Sequence, residues 1–174
     1  LIALGREHEL AGRLREASDQ YGEAARRARD AAEPALEAEA LRRLGVAHHR
    51  RGEGPDLGRD LCRRSHGVAL SAGPPIGAAE ALNCLAGFEL EQAAYESARS
   101  LFSAALELGG SNARLRGRIE QNLGVLANIR GDLDATSNEW FEVFDTPGEP
   151  FGDLFPDSWI EMRPPGAPED LDHG

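Results

Sequence analysis

The feature that most constrains this chain is a rhythm. A Leu followed by Gly or Ala, set in an apolar helical stretch, recurs at Leu4-Gly5, Leu44-Gly45, Leu85-Ala86 and Leu123-Gly124, at spacings of 40, 41 and 38 residues. A period of a few tens of residues is the mark of stacked supersecondary units, each too small to bury its own apolar surface. After each pair the chain runs about seven residues to a break and then begins a second stretch whose apolar residues recur three or four apart. In the first unit these are Ala17, Tyr21 and Ala24 after Gly12, and in the third Ala98, Phe102 and Ala105 after a weaker break near Gln92, at identical offsets of 13, 17 and 20 from the Leu. Two antiparallel helices joined by a tight turn explain the pattern. Small residues such as Gly5, Gly45, Ala86, Ala17 and Ala98 let the axes approach, and Tyr21 and Phe102 fill the space beyond them.

Punctuation divides the chain in the same places. Pro34 and Gly73-Pro74-Pro75 fall where a new helix pair should start, since proline is tolerated only in a first turn. Gly109-Gly110-Ser111-Asn112 supplies a helix stop followed by a capping side chain, and Gly131-Asp132 separates the last two helices. Helix pairs are thus expected at about 1–31, 34–71, 74–109 and 111–144.

The order Leu-Gly, turn Gly, Ala, aromatic, Ala resembles the tetratricopeptide repeat over roughly residues 1–140, in the longer variant of about 40 residues found in bacterial regulators and signalling proteins. The resemblance implies an all-α chain with a right-handed α-solenoid of about four antiparallel helix pairs over residues 1–144; the composition of the last segment adds an irregular acidic tail at 145–174. The second unit departs most: Gly54-Pro55 lengthens its turn, and Cys62 and His66 stand where Ala and an aromatic are expected.

Charge narrows the partners. The basic residues are 19 Arg and no Lys against 30 acidic residues, a formal charge of −11 that repels phosphate backbones and anionic lipid heads. Nucleic acid and membrane are therefore not expected partners. The longest apolar stretches are a few residues, far below the roughly 20 needed to span a bilayer, and the start shows no basic-then-apolar leader, so a cytoplasmic protein is expected. Leu1 stands in place of an initiator Met within a helical pattern already under way, as in a fragment of a longer protein. Two cysteines, Cys62 and Cys84, are too few for a disulfide framework and read as reduced core thiols.

No catalytic signature emerges. There is no hydrolytic triad, phosphate loop or dinucleotide fingerprint; Gly109 and Gly110 lack the following Lys of a nucleotide loop, and Asp132 and Asp134 suit a helix start. Cys62 and His66, four apart, share a helix face, but no further Cys or His completes a metal site, and His48 and His49 diverge. Neither enzyme activity nor a metal or cofactor is expected.

Residues 140–174 differ in kind, with six of the ten aromatics, six of the ten prolines, and nine acidic residues against the single Arg163. Three readings stay open for Phe151 to Met162: docked on its own array, disordered, or a recognition segment for another protein.

In the family this chain resembles, the first helix of each pair lines a concave binding surface. Side chains on those helices that turn from the inter-helix contact are Arg6, Glu9, Arg42, His49, Asn83, Leu90, Arg118, Gln121 and Asn128. Arg6, Arg42 and Arg118 suit an acidic peptide, the chain's own 145–172 among the candidates. The Lys and Asn set of chaperone-tail-binding members is absent, so that function is not carried over. The expected role is a protein-interaction scaffold binding a peptide or helix. Its rival is a regulatory or sensory segment of a larger bacterial signalling protein or transcription regulator. A third reading is an oligomer formed through the terminal helix, which would expose Leu1, Ile2, Leu4 and Leu10.

Overall fold

A computed structural model describes residues 1–130, and all its secondary structure in that range is helical: α1 (Ile2–Leu10), α2 (Leu14–Asp30), α3 (Pro34–Arg50), α4 (Pro55–Ser71), α5 (Ile76–Glu91), α6 (Tyr95–Gly109) and α7 (Ala113–Arg130). Leu1–Leu126 form one compact unit, and a second begins at Ala127. The helix expected after Asp132 and the acidic tail at 145–174 lie outside the described residues. None of the described helices is long and apolar enough to cross a membrane.

Four helices end in the same way. Just past α1, α2, α3 and α5 one residue takes the left-handed backbone: Gly12 (φ 73°), Ala32 (55°), Gly52 (72°) and Ala93 (56°). The following N–H then reaches five residues back, from Arg13 to His8 (2.8 Å), Glu33 to Ala28 (2.8 Å), Glu53 to His48 (3.3 Å) and Ala94 to Glu89 (2.9 Å). These bonds satisfy carbonyls that a helix end leaves open. Glycine is the favoured occupant; an L side chain there costs roughly 1–2 kcal/mol. Alanine at 32 and 93 hides two of the turns from a sequence reading, which is why the break near Gln92 looks weak. At the start of α7, Asn112 does what its position suggests, its Oδ1 accepting the Leu115 N–H at 2.9 Å.

Each of α1 to α5 packs against the helix that follows it, and α3 also packs against α5. Ala17 and Tyr21 in α2 and Ala98, Phe102 and Ala105 in α6 are fully buried. The Gly5 backbone lies against the Tyr21 ring so closely that a Cβ there would come within 2.5 Å of Cε1. The approach of α3 to α4 is tighter still in its backbone: a Cβ on Gly45 would stand 2.8 Å from the Gly58 carbonyl oxygen, and one on Gly58 2.9 Å from that of Gly45.

The second helix pair needs a correction of register. Gly45 faces the Cys62 sulfur, 3.0 Å from where its Cβ would be, as Gly5 faces Tyr21. Cys62 therefore takes the place of the aromatic, and Gly58 the place of Ala17 and Ala98. His66 is only half-buried, while Ser65 is buried and donates its hydroxyl to the Ala38 carbonyl at 2.7 Å. Bulk comes instead from Phe88 of α5, buried and 3.5 Å from the position of a Gly58 Cβ. At the first helix Leu1, Leu4 and Leu10 are exposed, but Ile2 is half-buried against the cluster of Ala24, Ala25, Ala40, Leu41 and Leu61.

Candidate interaction face

The first helices of consecutive pairs are α1, α3, α5 and α7, and within residues 1–126 their side chains meet at separations near the repeat. Arg50 of α3 donates to Glu9 of α1 at 3.1 Å, 41 residues away. Arg42 of α3 and Arg118 of α7 both reach Glu80 of α5, at 2.9 and 3.3 Å, each 38 residues from it. Asn122 of α7 donates to Asn83 of α5 at 3.0 Å, across 39 residues. His49 of α3 contacts Glu91 of α5, 42 residues on, and its ring lies 4.5 Å from that of Phe88. Residues that lie one period apart in the chain are brought side by side.

Five of the nine candidate groove residues, Glu9, Arg42, His49, Asn83 and Arg118, therefore hold neighbouring units together. Arg42 departs furthest from the expectation of an outward side chain, being buried in an ion pair with Glu80. Leu90 departs as well: it is core, 4% exposed. Arg6 is exposed and Gln121 half-buried, and neither makes an ion pair or side-chain hydrogen bond among the described residues. Asn128 is exposed on the last turn of α7, in the second unit.

Glu80 is the residue that facing arguments on single helices miss. Its signal was present as an acid midway between Arg42 and Arg118, 38 residues from each. One carboxylate shared by two guanidiniums leaves a net positive charge. Burial works against the charge on Arg42, but the neighbouring Cys84, Glu80 and Cys62 hold its pKa above the ordinary value. At the other end of the unit the Tyr21 hydroxyl, donating to Glu9 at 2.7 Å, is pushed up by burial and by that carboxylate. Beside the Glu80 centre two polar atoms one turn apart on α7, Arg118 Nε and Asn122 Oδ1, are buried without a hydrogen-bond partner among the described residues. Buried polar groups are rarely left so, which makes this donor and acceptor the chemically distinctive spot on the face.

No group of three or more His, Cys, Asp or Glu among the described residues could hold a metal ion. Comparison of the sequence with models of known families and with curated proteins found no match.

Proposed function

We propose that this chain is a protein-interaction scaffold of the tetratricopeptide type, in which residues 1–126 form a stack of helix pairs presenting their first helices as one binding face. The observation that carries the reading is the set of polar contacts at separations of 38 to 42 residues, because only units repeated in register bring such positions together again and again. Packing of α3 against α5 agrees with a face built from alternate helices. The ligand proposed is an acidic peptide, with residues 145–172 of the same chain as one example. Arg118, half-buried, carries the surplus positive charge at Glu80, and its guanidinium is the donor group that a carboxylate needs. Arg6 adds a second cation, with Gln121 near Arg118 as a further polar contact.

A labelled peptide of residues 145–172 tests this by titration into the full chain and into a chain ending at residue 144. Tighter binding to the shorter chain is expected, as the attached segment would compete. Arg6→Gln with Arg118→Gln should weaken binding about tenfold or more, the equivalent of about 1.4 kcal/mol. Unchanged affinity in that double variant would remove the acidic-ligand reading.

A further inference from the structure

The centre at Glu80 is one negative charge short, and its two ion pairs are unequal. Arg42 of α3 donates to Glu80 Oε2 at 2.9 Å, and Arg118 of α7 donates to Oε1 at 3.3 Å. Hydrogen bonds between a guanidinium and a carboxylate usually run at about 2.7–2.9 Å. The Arg42 contact meets that standard and its side chain is only 11% exposed; the Arg118 contact is long and its side chain is 24% exposed. Arg118 Nε makes no hydrogen bond at all among the described residues. Arg118 is thus the loosely held cation of the pair, and Glu80, 28% exposed, lies within reach of solvent beside it.

The two contacts also differ in what they support. Arg42 needs Glu80, because a buried cation stripped of its carboxylate is strongly destabilising. Arg118 has less need of it. One turn further along α7 the Asn122 amide donates to Asn83 of α5 at 3.0 Å, so the two helices stay joined when Arg118 lets go. Glu80 can therefore keep Arg42 and release Arg118 without parting α5 from α7.

We propose that Glu80 is a built-in competitor for Arg118, displaced from it by a carboxylate of the acidic peptide that the face binds. The proposal rests on the acidic-ligand reading above and adds the bond that must break. Glu80 Oε1 leaves Arg118, Oε2 remains on Arg42, and the peptide carboxylate takes the freed guanidinium; no proton moves. Two cations then face two anions, and the surplus charge is gone. What opposes the exchange is the approach of the incoming carboxylate to Glu80, since like charges set side by side in an interface repel. Glu80 thereby holds down the affinity of the face for acidic peptides.

The test uses the full chain with the acids of its own 145–172 segment changed to amides, so that the attached segment does not compete, and titrates in a labelled peptide of residues 145–172. Glu80→Gln, which keeps an oxygen for Arg42, should bind that peptide about tenfold more tightly, through removal of the like charge. Glu80→Gln combined with Arg118→Gln should bind no more tightly than Arg118→Gln alone. A second measurement leaves Glu80 in place: on addition of peptide, the Arg118 Nε–H signal in NMR should move further than that of Arg42. Affinity unchanged or weakened by Glu80→Gln, an equal gain with Arg118 absent, or a larger shift at Arg42 would each overturn the proposal and leave the acidic-ligand reading standing. A peptide that binds none of these chains would overturn both.

Discussion

The second helix pair and the third solve one packing problem with opposite materials. In the third, α6 supplies its own aromatic, Phe102, between Ala98 and Ala105, and all three are fully buried. In the second, α4 offers Gly58, Cys62 and Ser65 at the corresponding places, and its backbone closes directly on Gly45. The missing volume arrives from Phe88 on the next unit, in tilted contact with the His49 ring. One backbone rhythm thus tolerates an aromatic from within a pair or one borrowed across the seam. Borrowing makes the second pair depend on α5 for its core, while the third carries its own.

The sharpest way to break this comparison is to remove each aromatic. Phe102→Ala should destabilise by about 3–5 kcal/mol in denaturant unfolding, the usual range for a buried Phe. Phe88→Ala should cost a similar amount although it sits on a first helix; a loss below about 1 kcal/mol would show that the second pair does not lean on it. Glycine contact comes next. Gly45→Ala drives a methyl against the Gly58 carbonyl and should cost about 1–3 kcal/mol, whereas Gly67→Ala, with nothing within 4 Å, should gain up to about 1 kcal/mol from helix propensity. Equal effects at the two positions would contradict the close α3 to α4 approach. In the first pair, Tyr21→Phe keeps the ring against Gly5 but removes the hydrogen bond to Glu9, an expected loss of about 1 kcal/mol by thermal or chemical unfolding. The smallest effect runs the other way: Ala93→Gly should stabilise by about 0.5 kcal/mol, since relief of the left-handed alanine exceeds the entropy cost of glycine.

Helical class and helix ends were legible because they are local. Spacing of Ala, Tyr and Ala, prolines in first turns and the Asn112 cap each act within a few residues. What the sequence concealed depends on neighbours. Ala32 and Ala93 adopt a backbone that alanine does not advertise, because the turn closed by Glu33 and Ala94 imposes it. Cys62 was misplaced because Gly54-Pro55 moved the apparent start of α4, and only the contact with Gly45 fixes its register. The candidate interaction face shows the same limit. Helical facing placed Glu9, Arg42, His49, Asn83 and Arg118 on the first helices, but whether such a side chain meets solvent or the next unit is decided by stacking. Arg42 became buried for that reason, and Glu80 and Asn122 gained their importance from it.

The claim on which the rest stands is that first helices of successive pairs lie side by side in a register of about forty residues. A double-mutant cycle on Arg42 and Glu80, 38 residues apart and 2.9 Å from each other, tests it most directly. With Arg42→Met, Glu80→Gln and the pair measured by denaturant unfolding, the expected result is a coupling of about 1–3 kcal/mol. Additive losses within about 0.5 kcal/mol would contradict it, since partners that never meet cannot couple.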